Sequence, residues 1–270
     1  MANPVQRVPS RQNLRSNMGM AREFGFAEFN TMDMVSWETD FLGDALPTEL
    51  QSTAASGAVL SITGGVNGLA TIVTQASNDA YADVTLGPDF LAQCMCVMAA
   101  RVHIDAITDS KMEIGFSDAA SGTDAGAVLL NGAVAGTYTA NATDMAVWCF
   151  DTDSANDTWH GVATYDQNTS DTITGVATDT APVAGTFETL IVALEGTRTA
   201  GTTDAWTSPS TAHFYRLNAN GYQTYKSAPI TTGPTSNTLL TPHINVTTRN
   251  GTANTLTIDF LKVWQRRTAD

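Results

Sequence analysis

Glu38-Thr39-Asp40 sets two acids at i and i+2, with Asp44 four residues further on, and is the best candidate for a catalytic carboxylate pair. On a strand, such spacing sets both side chains on one face. Two carboxylates about 5–10 Å apart, one protonated and one ionised, are what a glycoside hydrolase needs around its scissile bond. These acids precede most of the strand-like sequence, so they are expected on an exposed entry segment rather than in a catalytic groove.

A second set of oxygen ligands lies in Asp151-Thr152-Asp153-Ser154-Ala155-Asn156-Asp157. Asp151, Asp153 and Asp157 are hard ligands suited to Ca²⁺, but the loop lacks the sixth-position glycine and the closing glutamate of an EF-hand. A solvated acidic turn is the simpler reading, with Ca²⁺ as the alternative. His103, His160, His213 and His243 fall in separate strand-like runs. No Gly-x-Ser-x-Gly elbow and no phosphate-binding glycine pattern accompanies them. Cys94 and Cys96, two apart in an apolar run, read as core thiols on one strand face. No Cys/His set has zinc-ligand spacing. Trp148 and Trp264 sit in apolar strands and read as core, whereas Trp206 lies in a Thr-rich loop and is the candidate glycan-stacking residue.

The elements that must position these residues are strands. Short alternating runs separated by Gly, Asn, Asp and Ser recur at 57–63, 68–75, 80–86, 94–107, 111–117, 126–130, 145–151, 158–165, 186–195, 211–217, 221–226, 240–248 and 254–265. Twelve or more strands at this spacing predict a two-sheet antiparallel sandwich. Val102, Ile104 and Ala106 alternate with Arg101, His103 and Asp105, giving one buried and one wet face. Leu256, Ile258 and Phe260 repeat the pattern, after which the apolar set moves to Leu261 and Val263, predicting a bulge. Asn220-Gly221 carries the signature of a tight hairpin, and residues 166–183 read as a long polar loop.

Charge divides the 270 residues unevenly. Residues 1–22 hold Arg7, Arg11, Arg15 and Arg22 and no acid, whereas residues 23–197 hold 24 acids against Arg101 and Lys111. A body so acidic repels phosphate, and four dispersed arginines make a thin electrostatic footprint, so nucleic acid is not the expected partner. No apolar run reaches the roughly 18–20 residues of a membrane span. The first residues lack the apolar region of a secretory signal, so the chain is expected to be made in a cytoplasm. Residues 1–35 mix the arginines with Met18, Met20, Phe24, Phe26, Phe29, Met32 and Met34. So many large apolar side chains do not suit a solvated tail. The division predicted is an extended arm over 1–35 and one sandwich domain over 36–270, with Arg7, Arg11, Arg15, Arg22, Phe24, Phe26 and Phe29 as candidate docking residues for a protein neighbour.

Four runs carry a resemblance: CVMAARVHIDAITDSKMEIGFSDA from Cys96, MAVWCFDTDSANDTWHGVATY from Met145, HFYRLNANGYQTY from His213, and LLTPHINVTTRNGTANTLTIDFLKVWQRR from Leu239. Together they resemble successive strands of the concanavalin A-like (laminin G-like) jelly-roll domain, in the versions found in tailed-bacteriophage virion structural proteins. Ile114-Gly115-Phe116 with Asp118, the Asn-Gly turn, and the closing Ile258-Asp259 with Gln265-Arg266 carry the likeness. It implies an all-β jelly roll and a non-enzymatic role in the virion: a capsid decoration (cement) protein bound to the major capsid protein or other virion proteins, expected to form homo-oligomers. The alternative it leaves open is a carbohydrate-binding tail-fibre or adhesin module. The Glu38, Asp40, Asp44 series resembles, less closely, the motif of laminarinase-type jelly-roll glycosidases, but with Asp where that family closes on Glu.

Overall fold

A computed structural model describes residues 34–43, 45–54, 58–63, 68–87, 90–119, 126–129, 137–167, 172–178, 180–196 and 209–266. Its strands, in chain order, are β1 (Met34–Thr39), β2 (Gln51–Ala54), β3 (Val59–Thr63), β4 (Leu69–Val73), β5 (Tyr81–Thr85), β6 (Phe90–Leu91), β7 (Val97–Ile104), β8 (Ser110–Ser117), β9 (Val128–Leu129) and β10 (Thr137–Ala140). They continue with β11 (Met145–Asp151), β12 (His160–Thr164), β13 (Thr172–Thr174), β14 (Val176–Ala177), β15 (Glu188–Glu195), β16 (Thr211–Leu217), β17 (Gln223–Lys226), β18 (Leu239–Thr248) and β19 (Thr255–Arg266).

Two antiparallel eight-stranded sheets form the sandwich. Sheet one runs β17-β16-β15-β7-β19-β4-β3, and β1 also pairs with β19. Because β7 lines one edge of β19 from Leu256 to Trp264 while β4 lines the other only to Ile258, β1 takes the remainder of that second edge. Sheet two runs β14-β12-β11-β8-β18-β5-β2, with β6 added to β18. A third, three-stranded sheet orders β13-β10-β9. The all-β two-sheet antiparallel sandwich expected from strand spacing, and the jelly roll that the resemblance implied, are observed.

Period-two alternation decides which side chains meet between the sheets. Met98, Ala100, Val102 and Ile104 of β7 and Leu190, Val192 and Leu194 of β15 face Met112, Ile114 and Phe116 of β8 and Ala146, Trp148 and Phe150 of β11 in one core. Each large side chain buried there contributes roughly 1.5–3 kcal/mol. Trp148 extends across the gap, donating its indole N–H to the Ile191 carbonyl at 3.0 Å. Trp159, just ahead of β12, reaches the same strand β15, donating to Glu188 at 2.8 Å. Gly161 lets the sheets close: a Cβ there would lie 2.6 Å from the Phe214 ring.

Several sequence expectations shift. Asp259 is the bulged residue, since Ile258 pairs with Val102 and Phe260 with Arg101. The bulge therefore comes one residue early, turning Phe260 onto the outer face and leaving Leu261 and Val263 in the core. Cys94 and Cys96 are both buried, but not on one strand. Cys94 closes a 3-10 turn, and Met95 takes a left-handed φ of 53° before β7 begins at Val97. The Asn220-Gly221 hairpin spans Asn218 to Tyr222, where the Asn218 side chain accepts from the N–H groups of Asn220 and Tyr222. That side chain replaces backbone partners a two-residue turn would supply. The region read as a polar loop, 166–183, contains β13 and β14.

Candidate functional site

The face of sheet two that looks away from the main core is polar along its centre. Register places His160, Cys149, Glu113, Asn245, Asp83 and Thr53 directly opposite one another across β12, β11, β8, β18, β5 and β2. Odd-numbered positions on β8 put Lys111 on this face too. All of these except Thr53 are buried.

What buries them is chain folded back over the face. Tyr138 and Ala140 of β10, with Ala127, Val128 and Ala142, pack on Met145, Val147, Cys149 and Val162 to make a second, smaller hydrophobic core. Glu113 fastens this cover. Its carboxylate accepts the N–H groups of Ala127 at 2.6 Å and Val128 at 3.1 Å. It pairs with the Lys111 ammonium at 2.6 Å and with His243 Nε2 at 3.2 Å. Lys111 also donates to the Val128 carbonyl. Gly126 makes room: with φ at 95°, a Cβ there would sit 2.5 Å from a Glu113 oxygen.

Burial alone would raise the Glu113 carboxyl, but Lys111 and His243 outweigh it and hold the pKa at about 2. Asp83 departs the other way: desolvation raises it, despite His243 and the 2.8 Å hydrogen bond from Asn245. Thr247 donates to the Asn245 oxygen at 2.8 Å, fixing which way that amide points. Burial likewise lowers His160 and raises the Cys149 thiol. Cys149 is therefore a protonated, apolar thiol rather than a nucleophile.

At one end of the sandwich Arg249 gathers the acids of two loops. It pairs with Asp151 at 2.7 Å, Asp79 at 3.2 Å and Asp153 at 3.4 Å. Asp151 also accepts the Asp153 N–H at 3.0 Å. Two of the three residues proposed for Ca²⁺ are thus committed to a guanidinium, and Asp157 is exposed nearby without joining them. Among the described residues no cluster of three His, Cys, Asp or Glu side chains has metal-binding geometry, and this donor set does not fit Ca²⁺.

The remaining sequence candidates separate. Glu38 and Asp40 are exposed at β1, where Glu38 pairs with Lys262 at 2.7 Å. Among the described residues nothing encloses them as a catalytic pair. Trp148 and Trp264 are buried, as expected. Arg7, Arg11, Arg15, Arg22, Phe24, Phe26, Phe29, Asp44 and Trp206 lie outside the described residues. Glu113, Lys111, Asp83 and Asn245 are not singled out from sequence as site residues, and His243 reads only as one of four histidines in separate strands. The available signal was Lys111-Met112-Glu113, opposite charges at i and i+2 in a chain with only three lysines.

No protein-family model matches the sequence, and no curated protein matches it. Solved structures match the fold. A protein of unknown function from Shewanella oneidensis MR-1 superposes with TM-score 0.57 at 13% identity, over 100% of this chain and 98% of its own. Peanut lectin superposes with TM-score 0.51 at 15% identity, over 86% and 97%. The Emp47p carbohydrate recognition domain does so with TM-score 0.51 at 13% identity, over 88% and 100%. The chain is similar in fold to concanavalin A-like lectin and carbohydrate-recognition jelly rolls.

Proposed function

We propose that the chain is a non-enzymatic virion structural protein, a capsid decoration module that holds to its particle through residues 1–35 and the edges of the sandwich. The observation that carries this reading is how the buried carboxylates are used. Glu113 is engaged by Lys111 and His243, Glu188 by Arg216 and Trp159, Asp151 by Arg249, Asp83 by Asn245 and Asp144 by the Thr235 N–H. A general acid or nucleophile needs a carboxylate that substrate can reach, and these are committed within the fold. What is left to act is the surface, the strand edges and the basic segment ahead of β1. The likeness of the strands to phage virion jelly rolls supports placing that surface on a particle, and the +4 segment on an acidic body supports a protein neighbour.

Cosedimentation of the purified full chain with phage heads that lack it tests the proposal. Wild-type protein is expected to pellet with heads. Changing Arg7, Arg11, Arg15 and Arg22 together to Gln is expected to weaken binding by at least about tenfold, and removing residues 1–33, which stops short of β1, to abolish it while the remainder melts as before. Undiminished binding after either change would overturn it.

A second reading, a carbohydrate-binding module of a tail fibre or adhesin, is favoured by the superpositions on peanut lectin and on a carbohydrate recognition domain. It predicts saturable glycan binding that Trp206→Ala removes. A glycan array without signal counts against it.

A further inference from the structure

Four strands end the main strand orders of the two large sheets, beside the off-path β1 and β6, and three of the four are poor templates for further pairing. β17 carries Lys226, and its pairing with β16 slips between Arg216 and Leu217. β14 is two residues long, and β2 is four residues of polar or small type. Charge, bulging and brevity are the devices by which proteins blunt a sheet edge.

β3 has none of them. Val59-Leu60-Ser61-Ile62-Thr63 contains no charge, proline or glycine, and is built from residues that favour strands. Its inner edge is paired with β4 over all five residues. Among the described residues nothing pairs with its outer edge. Val59 is 54% exposed and stands opposite Val73, itself 37% exposed, so an apolar cross-strand pair faces water at this margin.

The segment also fits itself. Turned about a two-fold axis through Ser61, an antiparallel copy sets Val59 opposite Thr63, Leu60 opposite Ile62, and Ser61 opposite Ser61. Leu60 and Ile62 fall on the core side of the sheet and meet as an aliphatic pair, extending the hydrophobic layer across the join. Val59 and Thr63 meet as a β-branched pair on the outer side, an arrangement that stabilises antiparallel ladders. A contact in which the same patch serves both partners needs no second sequence to complement it.

We propose that β3 is a homodimerisation edge, pairing antiparallel with β3 of a second copy in the Ser61-centred register so that sheet one continues from one subunit into the next. This pairing is independent of what the module binds, and its test needs neither particles nor glycans. Sedimentation equilibrium on the full chain should show a dimer. Val59→Lys/Thr63→Lys, which sets lysine opposite lysine at both ends of the join, is expected to weaken dimerisation by at least about tenfold. Val59→Lys/Thr63→Glu, which sets opposite charges there, is expected to recover most of that loss. A wild-type chain that stays monomeric up to about 100 µM, a double-lysine variant that dimerises as tightly as wild type, or a Lys/Glu variant no tighter than the double-lysine one would overturn the proposal. Should the double-lysine chain fail to fold, hydrogen exchange of wild type at two concentrations decides: amides of residues 59–63 are protected more at the higher concentration if the edge is shared. Equal protection at both overturns it.

Discussion

Glu113 and Lys111, two residues apart on β8, form a 2.6 Å ion pair whose side chains are at most 1% exposed. Their partners are backbone groups of Ala127 and Val128, so the pair joins the β9 region to sheet two. Removing one member leaves the other charged and dry. Glu113→Gln is expected to cost about 3–5 kcal/mol in urea denaturation. Lys111→Met/Glu113→Gln should cost clearly less than the two single changes summed, because no unpaired charge remains.

The same pair sets an acid limit. Glu113 titrates at about 2 in the folded chain against an ordinary 4.5. A folded value below the unfolded one gives stability that is complete above about pH 4.5 and withdrawn as pH falls towards 2. Asp83, raised by burial, has the opposite sign and offsets part of this loss. Denaturation midpoints of wild type and Glu113→Gln should converge on acidification through that window.

His160 governs a milder range. Burial lowers it from 6.5, so its contribution is complete above that value and lost as pH drops below it. Its ring packs edge-on to Tyr138 at 5.5 Å, and Glu113, Cys149 and Asp151 lie on the strands beside it. His160→Phe, which cannot ionise, is expected to flatten the fall in thermal midpoint between pH 7 and pH 5 relative to wild type.

Gly126 is a local test of the seat for Glu113. Alanine there meets both a left-handed φ and a carboxylate oxygen 2.5 Å away. Gly126→Ala is expected to cost about 1–3 kcal/mol. Hydrogen exchange should show the loss first at Val128 and Tyr138, ahead of amides in β7 and β15.

Arg249 fills the acidic loop end. Arg249→Met leaves the buried Asp151 carboxylate without its cation and is expected to cost about 3 kcal/mol. In wild type, addition of millimolar Ca²⁺ or of a chelator is expected to leave the thermal midpoint unchanged. A Ca²⁺-dependent rise would show that Asp151 and Asp153 can leave the guanidinium.

The sandwich was legible because period-two alternation survives wherever one strand face is buried, as in β7 and at the start of β19. It fails where burial is on both faces or neither. β13 and β14 sit inside a sequence rich in Thr and Asp whose strands are made by neighbours, not by pattern. The bulge is visible as a shift of apolar residues but reads as lying beyond Phe260 rather than at Asp259, since the apolar pattern alone does not say which residue is the extra one. The polar row was hidden for a different reason. His243 lies 130 positions from Glu113, and only the β8–β18 register brings them together. The arginine that occupies the acidic loop end lies 98 positions from Asp151.

The order of strands within the sheets also bears on synthesis. β18 lies between β8 and β5 in one sheet, and β19 lies between β7 and β4 in the other. Both come from residues 239–266, and β1 and β6 pair with them, so each sheet stays in three separate pieces until that stretch has left the ribosome. Everything translated earlier holds unpaired central edges that are long, apolar and open to wrong partners. Docking of the sheets therefore waits on the last hairpin. A nascent chain stalled before residue 239 should be captured by holding chaperones and cut by protease across β5, β7 and β8, whereas one extended far enough to expose residue 266 should resist.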